Sequence, residues 1–240
     1  MSTFVHTEDC DGHCGGHGCG QGLEGPTGLA VYDRDAVSNK MRCSRHGLFD
    51  LDFSNCDYNF ACPKCAKEHQ EQLALEHLLQ KYAFIGNERE LKWHRRFLAL
   101  AQHWADACSK DPSTKVGAAL TSPDRRKIVL GYNGFPPGVN DSEERYSDRE
   151  EKYARVSHAE SNAIDNASCE LTGWTLYVHP LLPCSGRHGG HNCAGRIISN
   201  HIARVIVPVS ALTNERWRGS CATSLEMFQE AGVEVVAIEE

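Results

Sequence analysis

The chain has 240 residues, 40% of them hydrophobic and 24% charged, which excludes an intrinsically disordered protein and leaves room for one substantial domain plus an appendage. No run of 18 apolar residues occurs, and the start of the chain is polar and glycine-rich, so neither a membrane-spanning helix nor a secretory signal is expected. A net charge of -7 argues against coating nucleic acid by bulk electrostatics, while 12 Cys with 13 His in a chain expected in the reducing cytoplasm point to metal ligation rather than disulfides.

In chain order, residues 1–28 form a Cys/His/Gly-rich tail whose Cys10, His13, Cys14, His17 and Cys19 sit among glycines, a composition expected to stay flexible. Residues 29–87 form a second segment with too few apolar residues to bury a core unaided. Cys43-x2-His46 and Cys62-Pro63-Lys64-Cys65, separated by 15 residues, have the spacing of a closed, four-ligand structural zinc site, a small finger-like module, with Cys56 and His69 as alternative ligands. A connecting helix is predicted from about Glu68 to Phe84. Basic residues near the module are offset by Asp50, Asp52 and Asp57, so nucleic acid is not favoured as a partner.

Residues 88–240 alternate in character. A helix over Trp93 to Cys108 stops at Asp111-Pro112, and strands over Val116 to Thr121 and Lys127 to Tyr132 form a hairpin. A Gly/Pro loop and a charged connection, Ser142 to Arg155, lead to a helix from Ala159 to Ser168. Strand Thr175 to His179, helix Cys193 to His201, strand Val205 to Val209, helix Cys221 to Ala231 and strand Val233 to Ile238 complete the pattern. A hairpin followed by β-α-β-α-β implies an α/β fold with a mixed five-stranded sheet and helices on both faces. Cys108, Cys169 and Cys221 fall on predicted helices and are expected to be buried small hydrophobes.

Three pieces of the last segment carry chemistry: His158-Ala159-Glu160, Pro183-Cys184 and Cys193. One imidazole and two thiolates bind Zn²⁺ and leave its fourth tetrahedral position open, as a catalytic site requires. Cys193 opens a predicted helix, whose dipole favours the thiolate. Glu160, two residues from the His ligand, is placed to take a proton from water and deliver it to a ring nitrogen and a leaving amine. His-x-Glu with Pro-Cys and a second Cys is the signature of zinc-dependent deaminases, and hydrolytic loss of ammonia from an amino-substituted base is the expected reaction.

The segment from about Trp93 to Glu240 resembles the deoxycytidylate (dCMP) deaminase family. The residues that carry the resemblance are Lys110-Asp111-Pro112-Ser113-Thr114-Lys115-Val116-Gly117-Ala118, Gly131-Tyr132-Asn133-Gly134-Phe135-Pro136, Val139-Asn140-Asp141, His158-Ala159-Glu160-Ser161-Asn162-Ala163-Ile164 and Leu176-Tyr177-Val178. The resemblance implies a three-layer α/β/α cytidine deaminase-like sandwich that converts dCMP to dUMP for thymidylate synthesis. It implies catalytic zinc on His158, Cys184 and Cys193, proton shuttling by Glu160, and substrate contacts from Asn133 (to the sugar), Gly134 and Ala159. It further implies a homo-oligomer, often a hexamer, with dCTP and dTTP as effectors and Mg²⁺ accompanying the nucleotide.

The chain departs from the family in one place. The usual Pro-Cys-x-x-Cys spacing is opened to eight residues between Cys184 and Cys193, a gap shared by the pyrimidine deaminase of riboflavin biosynthesis. The insert carries Arg187, His188 and His191, and Arg187 with one of the histidines is expected to approach the substrate phosphate. A histidine of this insert closing the fourth zinc position would instead make the site structural. The rival readings are the same chemistry on dCTP, a 5-modified dCMP or a riboflavin-pathway pyrimidine, and, in another class, a zinc-finger interaction or nucleic-acid-binding protein on an inactive deaminase scaffold.

Overall fold

The computed structural model describes residues 32–34, 40–43, 47–50, 63–186 and 190–240. The chain divides into two compact units, Met1–Ala74 and Leu75–Glu240. The first holds a three-stranded antiparallel sheet, β1 (Tyr32–Arg34), β2 (Lys40–Cys43) and β3 (Gly47–Asp50), in the order β1-β2-β3. Helix α1 (Pro63–Tyr82) crosses the division. The 1–28 tail expected from the sequence lies outside the described residues.

The second unit continues with α2 (Glu88–Cys108), β4 (Gly117–Thr121), β5 (Ile128–Tyr132), the single-turn helices α3 (Glu143–Ser147) and α4 (Arg149–Tyr153), α5 (Ala159–Ala167) and β6 (Thr175–His179). It ends with α6 (Cys193–Ser199), β7 (Arg204–Pro208), α7 (Val209–Thr213), a 3-10 turn, α8 (Arg218–Ala231) and β8 (Glu234–Ile238). The sheet order is β5-β4-β6-β7-β8; β5-β4-β6 pair antiparallel and β6-β7-β8 parallel. This is the mixed five-stranded sheet that the hairpin and the β-α-β-α-β pattern predict. Among the described residues no helix is long and apolar enough to cross a membrane.

Each face of the sheet buries its own set of side chains. Phe97, Leu98 and Ala101 of α2 pack on Ala119, Tyr177, Ile206 and Val236. On the other face Ala159 and Ala163 of α5, Ile197 of α6 and Phe228 of α8 cover Ala118, Leu120, Leu176, Val205 and Val207. The alternation along β4 therefore has no polar side, because both of its faces are covered by helices. Asn87 opens α2 by accepting from the Glu90 amide at 3.0 Å, and Glu88 and Glu90 place negative charge on its first turn.

Two sequence expectations change. The charged stretch 142–155 is not a plain connection: Asp148 accepts from the Glu150 and Glu151 amides at 2.9 and 3.0 Å and starts α4 directly after α3. Cys169 is not a buried helical thiol. Ser168 takes the left-handed conformation (φ 47°, ψ 30°) and ends α5, which leaves Cys169 exposed beyond it. Cys108 is half-buried at the end of α2, and Cys221 is buried on α8 as expected.

Candidate active site

His158 is the last extended residue before α5 (φ -79°, ψ 152°), in the position that usually carries a capping side chain. Its imidazole caps nothing. Nδ1 instead lies 3.4 Å from Cys184 Sγ and 3.3 Å from Cys193 Sγ. The three donor atoms all fall within 4.8 Å of one another. Zn–S and Zn–N bonds at a tetrahedral angle would set a sulfur and a nitrogen about 3.5 Å apart, so the donor set fits zinc in kind and spacing. His191 is not one of the donors: its ring lies against that of His158, with centroids 4.5 Å apart and planes tilted by 37°, and its carbonyl accepts from the Cys184 thiol at 2.7 Å.

Both thiols are held by their backbones. Cys193 is the first residue of α6, whose start is capped by Asn192 accepting from the Gly195 amide at 2.8 Å. Cys184 follows β6 in a segment fastened to α8, where Ser224 Oγ donates to the Pro183 carbonyl at 2.7 Å and the Ser185 amide donates to Ser220 Oγ at 3.2 Å. The Ala194 amide donates to the Cys184 carbonyl at 2.9 Å and clips the two ligand segments together. Hydrogen bonding with the Cys193 thiol, ahead of contact with His158, favours ionisation of Cys184 and holds its thiol below the usual range.

Glu160 lies on the first turn of α5, 4% exposed, and shares a cavity with His158, Ala159, Cys184, Asn133 and Lys152. Burial pushes its carboxyl above the usual carboxylate range, against the opposing pull of His158. A buried carboxyl beside a metal-ligand cluster is suited to holding a proton and passing it on.

The rim of the cavity holds a network that sequence reasoning missed. Lys152, on α4, sets its ammonium 3.1 Å from both Asp111 carboxylate oxygens and donates to Ser113 Oγ at 2.6 Å. Burial works to raise the Asp111 carboxyl, but hydrogen bonds from Ser113, Lys152 and Thr114 hold it below the usual range. Asn133, expected to contact the sugar, lines the cavity, but all four of its hydrogen-bonding positions are taken internally. Nδ2 donates to the Thr114 carbonyl (2.9 Å) and Asp111 Oδ2 (3.3 Å), and Oδ1 accepts from the Val116 amide and Ser109 Oγ, both at 2.8 Å. Its side chain thus fixes the loop between α2 and β4 against the end of β5. Gly134 pairs with Ser157 in an isolated bridge that leads the chain into His158.

Other predicted residues fall wholly or partly outside what the structure describes. Arg187 and His188 lie outside the described residues. Of the finger-like set, Cys43 ends β2 and Cys65 falls in the first turn of α1, while His46, Cys62 and the side chains of all four lie outside what is described.

The family model of the cytidine and deoxycytidylate deaminase zinc-binding region matches residues 91–209. An uncharacterised deaminase of Aliivibrio fischeri, from the luxG 3' region, is 40% identical over 145 residues, 60% of this chain and 92% of its own. The deoxycytidylate deaminase of Mus musculus is 37% identical over 122 residues, 48% of this chain, and the match spans 64% of the mouse protein's length. Among solved structures, the dCMP deaminase of cyanophage S-TIM5 in complex with dCMP and dUMP is similar over 64% of this chain and 100% of its own, at 21% identity and a TM-score of 0.47.

Proposed function

Because the chain belongs to the cytidine and deoxycytidylate deaminase zinc-binding family, we propose that it catalyses hydrolytic deamination of dCMP, dCMP + H2O giving dUMP + NH3. The observation that carries this reading is the convergence of His158, Cys184 and Cys193 in one three-donor cluster, with the buried carboxyl of Glu160 in the same cavity. His158 Nδ1 and the two thiolates would hold the zinc, which when bound lowers the pKa of water from 15.7 to about 7. Glu160 takes one proton of the attacking water on its carboxylate and hands it to the ring nitrogen beside the reacting carbon; it then takes the second proton from the hydroxyl added to that carbon and delivers it to the amine as the C–N bond breaks, leaving the carbonyl and ammonia. Ala159, 0% exposed at the start of α5, brings backbone close to the substrate base.

The buried ammonium of Lys152 supports a phosphorylated substrate, since it lines the cavity and can turn from Asp111 and Ser113 to a phosphate oxygen. Arg187, from the insert between the two thiols, would add a second cation. The deoxycytidylate deaminase relative supports the choice of dCMP. A cytoplasmic homo-oligomer, up to a hexamer, answering to dCTP and dTTP with Mg²⁺, belongs to the same reading. So does a structural zinc on Cys43, His46, Cys62 and Cys65, in a domain plan of tail (1–28), finger-like module (29–87) and deaminase domain (88–240).

The test is ammonia release from dCMP by the wild type and by Glu160→Gln. The substitution should lower kcat about a hundredfold to ten-thousandfold with zinc content unchanged. An unimpaired Glu160→Gln would sink the assignment. Zinc content of the wild type, about two per chain, should fall to about one in Cys62→Ser/Cys65→Ser with deamination retained; a wild type holding only one zinc would remove the structural site.

A further inference from the structure

A second polar cavity opens at the other end of the sheet. β4 runs from Gly117, beside His179 and the active-site segment, to Thr121, beside Ile128 and Thr175, a distance of about 13 Å along the strand. At the Thr121 end a cavity of about 200 Å³ lies among His94, Arg125, Thr175, Tyr177, Arg204 and Glu234. It shares no lining residue with the cavity around Glu160.

We propose that this cavity is a separate binding site for a phosphate group, held between the guanidinium groups of Arg125 and Arg204. The two arginines come from different elements, the β4–β5 turn and the start of β7. Arg125 is placed by a left-handed backbone (φ 60°) and by its amide donating to the Ser122 carbonyl at 2.8 Å. Its guanidinium lies over Trp93 at 5.8 Å, which covers the face of the group and leaves its in-plane N–H edges for an acceptor. Among the described residues no carboxylate forms an ion pair with Arg125. Arg204 uses Nε to bond Glu234 at 2.6 Å, and its terminal nitrogens take no part in that bond. The lining therefore carries two positive charges against one negative.

The remaining walls suit an oxyanion. Tyr177 OH lies 3.0 Å from His94 Nδ1, and buried Thr121 with Thr175 adds hydroxyls, while the Ser122 hydroxyl donates to Asp124 at 2.6 Å and takes no part. His94 is 3% exposed, and burial, followed by the charges of Arg204 and Arg125, holds its imidazole down to about 4. Both cations thus act on this one ring, which makes His94 a local reporter of anything anionic placed between them. A volume of about 200 Å³ exceeds the roughly 30 Å³ share of one water several-fold and admits a phosphate with part of what it is attached to.

The test follows the His94 ring signals by NMR, assigned with His94→Gln, during titration at constant ionic strength. Inorganic phosphate should move them saturably at millimolar concentration, and Arg125→Gln should weaken that response about tenfold, the worth of one charge-assisted hydrogen bond. Arg125→Lys should restore part of it, and unchanged melting of both variants would show that they fold. AMP binding more tightly than phosphate would make a nucleotide the source of the group, and AMP binding no more tightly would make it the free ion; either upholds the site. No movement, equal movement with acetate or adenosine, or an undiminished response in Arg125→Gln overturns it. The readout does not depend on turnover, so it stands or falls apart from the deaminase reading.

Discussion

Asp111 and Lys152 face each other nearly out of solvent, with side chains 4% and 10% exposed. Such a pair contributes little by existing and a great deal when halved, because the survivor is left as an uncompensated buried charge. Asp111→Asn should therefore destabilise the protein by about 3 kcal/mol in urea unfolding. Lys152→Met should raise KM for dCMP far more than for deoxycytidine, which has no phosphate. An equal change on both substrates would show that the ammonium serves the loop alone. The sequence made His158, Glu160, Cys184 and Cys193 legible because metal chemistry needs those residue types at those positions. Lys152 was not legible: it sits in a run of Asp, Glu, Arg and Lys, and only the fold sets it beside a carboxylate 41 residues away. Asn133 was legible as a loop residue of the site, but the saturation of its amide depends on Ser109, Thr114 and Val116, which no spacing connects to it.

Two helices reach the sheet through missing side chains. A Cβ on Gly117 would run into the Ala101 carbonyl of α2, and one on Gly131 would run into the Ala159 carbonyl and come within 2.5 Å of the Ala163 amide of α5. α5 is further tied to the edge strand by Asn162 and Asn166, whose amides donate to the Tyr132 and Leu130 carbonyls at 2.7 and 3.1 Å. Gly131→Ala should cost about 2 kcal/mol of stability, as overpacking does, and should also lower kcat, because α5 carries Glu160 and follows His158. A stability loss with kcat intact would mean that the helix shifts as a rigid body without moving the site. The five strands of this sheet and its four longer helices, α2, α5, α6 and α8, could be anticipated from apolar periodicity and turn residues. The single turns α3 and α4 and the strands β1 to β3 could not, since charged residues interrupt any apolar pattern in them, and α7 could not, since its five residues run on directly from β7 and make little more than one turn.

At the scale of the whole molecule, His94 gives stability a pH dependence of known sign. Its imidazole titrates near 4 in the fold and near 6.5 in the unfolded chain, so between these values the unfolded chain binds more protons. The stability that this neutral ring allows is complete above about pH 6.5 and is lost as pH falls towards 4, by at most about 3 kcal/mol. In phosphate-free buffer the wild type should lose more unfolding free energy over this range than His94→Gln does. Parallel curves would assign the dependence to other groups. Glu90 and Glu234 work against the two arginines here, which limits the size of the effect.

The segment between Cys184 and Cys193 is held firmly at both of its described ends. The Cys184 carbonyl and the Ala194 amide join its two ends at 2.9 Å, α8 grips one side through Ser220 and Ser224, and Asn192 caps the other. Ligand geometry is thereby uncoupled from the length of chain between the ligands. Doubling that length would cost only about 0.6 kcal/mol in closure entropy. Residues added between Gly186 and Gly190 should therefore leave His158, Cys184 and Cys193 in their present arrangement, which makes this stretch a natural port for grafting a peptide tag.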